Sequence, residues 1–253
     1  MSFFRTLFFR KKKAPLVCTI DLAHDPNHVH TDACFVEIAP LSIVEFFMSQ
    51  GCEACPAAIP LIHKSAMANN NVLLLTYNVT YFNNRTGWTD TKSNTLWDAR
   101  QAAYSKRWSR TAAFTPQVII DGIADGTGAK EGDFNSILSN AIEARNNSPL
   151  AVGMEKVDNR RLKIASETVE TEVYDVVVIS YEARAEVVKV GKGPNKGKKL
   201  EHRNVVREVV KIEEWAGGPK VLELLEMPEG NALQHVVVLQ QGVGGPIVAA
   251  CRL

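Results

Sequence analysis

Hydrophobic positions between residues 42 and 145 follow two different spacings. Some runs are apolar without interruption, as in strands buried on both faces of a sheet, and others repeat every three to four residues, as in helices. The predicted strands are 42–47, 72–77 and 114–122, and the predicted helices are 56–68, about 89–108 and 134–145. Strands that alternate with helices predict an α/β domain with a partly parallel sheet covered by helices.

The pattern changes after residues 146–149, which read Asn-Asn-Ser-Pro. From there onward, about seven apolar stretches of strand length are separated by turn residues, without a convincing helix. These strands are 150–157, 161–165, 173–183, 186–190, 200–212, 234–241 and 247–253, and residues 220–225 fit a short helix or a strand. Such a series is typical of a small antiparallel β-sandwich. The predicted organisation is a tail and linker at 1–41, an α/β domain at 42–148 and a β-sandwich domain at 149–253.

Composition narrows the class of protein. Hydrophobic residues make up 45% and charged residues 23% of the 253 residues, which is typical of a soluble globular protein. The net charge of +1, from 29 basic and 28 acidic residues, does not indicate a nucleic-acid partner. No apolar run approaches the ~20 residues that a membrane-spanning helix needs. Five cysteines are an odd number and too few for a disulfide scaffold, which favours a reducing compartment, the cytoplasm.

The first thirteen residues are strongly biased, with Phe and Leu on one helical face, several Arg and Lys, and no acidic residue. Most of the charge follows the apolar part, and Arg5 interrupts it, whereas a secretory signal has its basic residues first. The segment therefore does not fit a signal peptide. It fits a mitochondrial presequence, a membrane-surface anchor or a frayed basic tail.

The segment with the clearest chemistry is 49–56, Ser-Gln-Gly-Cys-Glu-Ala-Cys-Pro, between a predicted strand and a predicted helix. Backbone N–H groups and the helix dipole stabilise a thiolate there, so Cys52 is the expected nucleophile. Cys55 is close enough to resolve a mixed disulfide, which predicts cycling between dithiol and disulfide. Glu53 between them is expected to raise the pKa of Cys52. The alternatives are a structural pair or half of a metal site; a four-cysteine zinc site is excluded because no second such pair exists.

A second group of candidate ligands lies in the linker. Cys18, His24, His28, His30 and Cys34 fall within seventeen residues, and imidazole and thiolate are suitable ligands for zinc or copper. Their spacing matches no defined zinc signature. A solvated linker with incidental histidines and a bridge between the two cysteines are the competing interpretations.

The order of strand, Cys-x-x-Cys at a helix start, helix, strand, helix, Thr-Pro, strand and helix resembles the thioredoxin-like fold. More closely, the chain is similar to a mostly bacterial thioredoxin-like family known only as a domain of unknown function. That similarity is carried by segments 45–56, 87–88, 100–104, 114–122, 202–207, 245–246 and 252–253. It implies a fold rather than an activity.

The thioredoxin resemblance implies roles for three more residues. Thr115-Pro116 takes the place of a cis-proline loop that faces the cysteines and holds a partner strand through the Thr115 backbone. Glu45 lies near the position of a buried acid that exchanges protons with the second cysteine, although its spacing here is one residue longer. Members of the family often have His and Asp where this chain has Asn78 and Thr80.

Residues 191–197 look superficially like a phosphate-binding loop. Pro194 removes a backbone donor and strands flank the segment, so a hairpin tip is predicted, with its lysines in solvent.

Together these features predict a thiol–disulfide oxidoreductase acting on a protein or small-molecule thiol or disulfide, without a cofactor. Cys52 attacks, Cys55 resolves, Glu45 relays a proton, and Thr115 and Pro116 hold the partner. The alternative is a non-enzymatic thioredoxin-like module that binds a peptide, a partner protein or a metal ion.

Overall fold

The computed structural model describes residues 16–18, 35–37, 40–166, 172–224 and 233–253. The chain forms two compact units, residues 1–40 and 41–253. In the first unit, β1 (Leu16–Cys18) pairs antiparallel with β2 (Phe35–Glu37). The basic N-terminal segment of the sequence analysis lies outside the described residues.

The α/β pattern expected from residue 42 onward is present. Its elements are β3 (Ser42–Met48), α1 (Cys55–Met67), β4 (Val72–Asn78), α2 (Asn83–Thr86), α3 (Thr95–Arg107), β5 (Gln117–Ile120), β6 (Ala124–Gly126) and α4 (Asp133–Asn146). The hairpin strand β6 was not expected from the sequence. Helix α3 begins at Thr95 and not near residue 89 as predicted, because Asn94 accepts the capping hydrogen bond, from the Leu96 N–H at 3.0 Å.

The remainder of the described chain consists of strands. They are β7 (Val152–Lys156), β8 (Arg161–Ser166), β9 (Tyr174–Glu182), β10 (Glu186–Lys189), β11 (Lys199–His202), β12 (Val205–Trp215), β13 (Lys220–Glu223), β14 (Leu233–Gln240) and β15 (Ile247–Arg252). The stretch predicted as one strand at 200–212 is two strands, because Asn204 turns the backbone with a φ of 49°. Its side chain donates to the Leu74 carbonyl at 2.8 Å, and its own carbonyl accepts from the Thr76 N–H at 2.9 Å.

One mixed sheet of eight strands runs through the second unit in the order β15-β14-β9-β12-β4-β3-β5-β6. β3 and β4 are parallel, β5 is antiparallel to β3, and β12 meets β4 in parallel at Val205 and Thr76. The sheet therefore passes without a break from residues before 148 to residues after it. The smaller sheets are β10-β11 and β13-β8-β7.

Alternate residues of each strand face opposite cores. On one face, Val44, Phe46 and Met48 pack with residues of α1 and α4. On the other, one core beneath α3 joins Phe47 and Tyr77 to strands β9, β12, β14 and β15. A third core packs the three-stranded sheet against β9, β14 and β15. Because the core beneath α3 contains residues of both predicted domains, their division near residue 148 stays a prediction.

None of the helices within the described ranges is long and apolar enough to cross a lipid bilayer.

Candidate functional site

Cys52 and Cys55 lie where β3 gives way to α1. The chain turns after β3, with the Cys52 N–H donating to the Ser49 carbonyl at 3.1 Å. Helix α1 then begins at Cys55, and its cap residue, Ala54, supplies no side-chain acceptor. The backbone N–H groups of Ala54 and Cys55 instead help to lower the pKa of Cys52. A helix N-terminus leaves such donors open, and they stabilise a negative charge on the sulfur.

The two thiols have opposite pKa shifts. The Cys55 thiol donates to the Cys52 sulfur and, with help from Thr115 and the backbone N–H groups, lowers the pKa of Cys52 from 9.0 to about 6, against the effect of burial. Burial raises the pKa of Cys55 well above its usual value. At neutral pH, Cys52 is therefore the thiolate and Cys55 the thiol.

The expected upward effect of Glu53 does not set the pKa of Cys52. The Glu53 side chain is exposed to solvent, and the pKa of Cys52 falls instead of rising because hydrogen bonds from its neighbours outweigh burial. An exposed carboxylate is screened by water, so contacts within the turn dominate.

The Thr115–Pro116 loop faces the cysteines, and its peptide bond is cis. The Cys52 sulfur lies 3.5 Å from the Thr115 carbonyl oxygen. Gln101, fully buried on α3, fixes the loop from both sides, since its Nε2 donates to the Phe114 carbonyl and to Gln117 Oε1, each at 2.8 Å. In the sequence, Gln101 is marked only by its place in the family-like segment 100–104.

Tyr81 is a further residue beside the pair that sequence reasoning missed. Its hydroxyl donates to Gln101 Oε1 at 3.3 Å. Burial chiefly raises the pKa of Tyr81 to about 12, and the negative charge of the two cysteines contributes. It follows β4 in the chain, and no motif marks it.

A buried polar network supports the turn that carries the cysteines. The Gln50 N–H donates to Asp90 Oδ2 at 2.7 Å, and Gln50 Oε1 accepts from the Trp88 indole at 2.9 Å. Gln50 Nε2 lies 3.2 Å from Nε2 of His202, and Asn78 Nδ2 lies 3.5 Å from Nδ1 of the same ring. Burial lowers the pKa of His202 to about 4, so the ring is neutral at pH 7. Asn78 is thus a structural member of this network.

The β10–β11 hairpin also reaches the cysteine turn. Asn195, fully buried, donates through Nδ2 to the carbonyls of Gln50 and Cys52 at 2.9 and 2.6 Å. The sequence predicts a hairpin tip with its lysines in solvent; the lysines are exposed, but Asn195 between them is buried. An asparagine between glycines is a turn signal, and no local signal could have identified its distant partners.

Glu45 is not brought to the cysteines. It lies on the opposite face of β3, where its carboxylate is bound by Arg100 Nε and the Tyr104 hydroxyl. Arg100 also donates to Gln240 Oε1 at 3.1 Å, so the buried pair joins β3, α3 and β14. Successive strand residues point to opposite faces, and the one-residue difference in spacing accounts for the change of side.

Within the parts of the chain that the structure describes, no three His, Cys, Asp or Glu side chains are grouped so as to hold a metal ion. Of the candidate ligands in the linker, Cys18 ends β1, whereas His24, His28, His30 and Cys34 fall in the undescribed ranges.

Comparisons with known proteins agree with this architecture. The chain is similar to the crystal structure of protein AGR_C_4864 from Agrobacterium tumefaciens, with a TM-score of 0.67 and 29% identity over 86% of this chain and 96% of that one. HBP35 of Porphyromonas gingivalis shares the fold at 10% identity, with a TM-score of 0.57, over 85% of this chain and 74% of that one. No match was found among curated proteins. The family model described as "Protein of unknown function (DUF1223)" matches residues 43–241, and the chain belongs to that family.

Proposed function

We propose that this protein is a thiol–disulfide oxidoreductase on a thioredoxin-like fold. The observation that carries the proposal is the contact of the two thiols at the start of α1, with opposite pKa shifts. A thiolate nucleophile beside a protonated thiol is the pairing that thiol–disulfide exchange requires.

The reaction follows from these protonation states. The Cys52 thiolate attacks one sulfur of a partner disulfide; a new S–S bond forms, the partner's own S–S bond breaks, and its second sulfur leaves as a thiolate that takes a proton from solvent. Cys55 then loses its proton and attacks the Cys52 sulfur, which releases the first partner sulfur as a thiolate that is also protonated. The partner gains two electrons and two protons, and the pair becomes a disulfide. The reverse sequence oxidises a partner dithiol.

The fold assignment is part of the proposal. The order β3, α1, β4, α3, β5, α4 is the one that the sequence analysis compared with thioredoxin-like proteins, and Thr115–Pro116 meets Cys52 across the site. In this interpretation residues 42–148 form the thioredoxin-like domain and residues 149–253 the β-sandwich domain, with the three-stranded sheet as its second layer. Thr115 offers the partner a backbone edge beside the nucleophile. The odd number of cysteines supports a reducing, cytoplasmic setting, with a mitochondrial or membrane-surface location as the alternative.

A trapping experiment tests the proposal. With Cys55→Ser, the attack that releases the partner cannot occur, so mixed disulfides at Cys52 accumulate when the protein is incubated with oxidised peptides and are reversed by dithiothreitol. The control, Cys52→Ser, forms none. If Cys55→Ser forms no adduct at Cys52, the enzymatic interpretation is wrong.

One observation favours the alternative, a non-enzymatic module. Only 3% of Cys52 is exposed, as in a cysteine that fills space. In that case, a redox titration of protein with the other three cysteines replaced by serine would find no two-electron transition of the pair between about −120 and −300 mV.

A further inference from the structure

The β10–β11 hairpin forms a wall beside the nucleophile, and residues 190–199 are called the lysine loop below. Its anchor is Asn195, whose amide binds the carbonyls of Gln50 and Cys52. Val190, the first residue of the loop, and Leu200, directly after it, are buried in the same apolar cluster as Cys52 and Cys55. The hairpin is therefore attached to the cysteine turn by polar and apolar contacts.

Two glycines bring the lysine loop against the segment between β4 and α3. A Cβ on Gly191 would lie 2.5 Å from a ring carbon of Trp88. A Cβ on Gly193 would lie 2.8 Å from the Thr86 carbonyl, and its φ is 76°. Real Cβ atoms do not approach so closely, so this packing depends on residues without a side chain.

The exposed side of the loop is basic. The exposed cations are Lys192, Lys196, Lys198 and Lys199. Lys198 donates to Asn195 Oδ1 at 2.9 Å. Across the described residues, none of the four lysines forms an ion pair with a carboxylate. Nearby acids are occupied: Glu186 binds Lys92, and Glu201 binds Arg203. Within the described ranges, Glu53 on the cysteine turn is exposed and forms no ion pair.

The distances place this charge within reach of a bound partner. Asn195 touches the Cys52 carbonyl, and the Cα atom of Lys196 is ~3.8 Å further along the chain. The flexible lysine side chain adds about 6 Å, so its ammonium group lies within the Debye length of about 30 Å that applies at 0.01 M salt, whereas at physiological salt, with a Debye length of about 8 Å, much of this field is screened. A charged group on a polypeptide docked at Cys52 and Thr115 would experience this field.

We propose that the lysine loop selects the partner: a polypeptide whose reactive cysteine is flanked by acidic residues. This inference rests on the proposed thiol–disulfide exchange and adds its substrate class. Electrostatic complementarity at the rim of a site accelerates encounter with the matching charge and disfavours the opposite one.

Two peptides test the inference. Each has the same single disulfide, flanked by four Glu in one and four Lys in the other, and their reduction is followed with dithiothreitol as the final reductant. For the wild-type chain, the second-order rate constant for the acidic peptide is expected to exceed that for the basic one by about tenfold at low salt. This ratio should approach one at 0.5 M salt.

Variants assign the effect to the loop. In Lys192→Glu/Lys196→Glu, the ratio should fall to one or below. In the control Lys156→Glu/Lys163→Glu, which makes the same charge change on β7 and β8, the wild-type ratio should remain. Both rates refer to the same variant, so a change in the reactivity of Cys52 cancels. Equal rates for the two peptides with the wild-type chain, or an unchanged ratio in the lysine-loop variant, would overturn the inference.

A neutral substrate separates this inference from the proposed function. If the wild-type chain reduces hydroxyethyl disulfide but does not discriminate between the peptides, the oxidoreductase stands and the partner assignment fails. If it reduces none of the three, both fail.

Discussion

Replacement of Cys55 tests the origin of the reactive thiolate. The largest contribution to the low pKa of Cys52 is the hydrogen bond from the Cys55 thiol. Cys55→Ala removes this donor, whereas Cys55→Ser keeps one in the same place. The pair of variants therefore separates the hydrogen bond from the loss of volume.

The size of the effect follows from the shift. A fall of the pKa of Cys52 from 9.0 to about 6 corresponds to about 4 kcal/mol of preference for the thiolate. A hydrogen bond to a charged group contributes about 1.5–3 kcal/mol of this, or roughly 1–2 pKa units. In Cys55→Ala, Cys52 should titrate between about 7 and 8. The thiolate fraction at pH 7 should then fall from about 90% to between about 10% and 50%. In Cys55→Ser the rise should stay below about one unit.

The assay is thiolate absorbance at 240 nm against pH, checked by the pH dependence of iodoacetamide alkylation. Cys18, Cys34 and Cys251 are replaced by serine, so that Cys52 gives the only signal. If Cys55→Ala leaves the pKa of Cys52 near 6, the hydrogen bond is not its origin. In that case, the backbone N–H groups at the start of α1 would have to supply the shift.

Three further outcomes check the remaining structure. Glu45→Gln should lower the free energy of unfolding, measured in urea, because it breaks the buried pair with Arg100. The pKa of Cys52 should change by less than about half a unit, because the carboxylate lies on the other face of β3. A larger change would support the proton relay expected from the sequence. Gly122→Ala should lower the free energy of unfolding by several kcal/mol more than Gly218→Ala does. Both glycines have a positive φ, but of the two only Gly122 would place a Cβ against a backbone carbonyl oxygen, at 2.3 Å. Equal losses of stability in the two variants would contradict this packing. The pKa of His202 is about 4 in the folded protein, against an ordinary value of 6.5, so the unfolded chain binds a proton at higher pH than the folded one does. As the pH falls from about 6.5 to 4, the free energy of unfolding of the wild-type protein should therefore decrease by up to about 3 kcal/mol. His202→Gln should show a flatter urea-unfolding profile, and an equal slope would contradict the burial of a neutral ring.

The α/β part of the fold was accessible from the sequence because its strands and helices have regular periods. The run at residues 72–77 became β4, and the helical spacing after Pro56 became α1, with boundaries off by one residue. Strand β6 was missed because three residues, Ala124–Gly126, carry no period, and they form a strand only through pairing with β5. The break at Asn204 was missed for a similar reason, since its left-handed backbone is stabilised by contacts with β4.

In the candidate site, too, some features could be predicted from the sequence and others could not. The position of Cys52 and Cys55 at a strand-to-helix junction follows from local order along the chain, whereas the Thr115–Pro116 loop opposite them was implied by the resemblance to the thioredoxin-like fold. The surroundings of the pair do not follow from local order, because tertiary packing brings in Gln101, Tyr81, His202 and the lysine loop.

The amino-acid order alone thus determined the periodic elements, the dithiol and its place at a helix start, because each depends on residues within about one helical turn or one strand of one another. The tertiary structure decided the side of β3 on which Glu45 lies, the continuation of the sheet from β4 into β12, and the contact of Asn195 with a carbonyl 143 residues away. Such contacts arise when distant surfaces are buried together, and no local pattern specifies which surfaces meet.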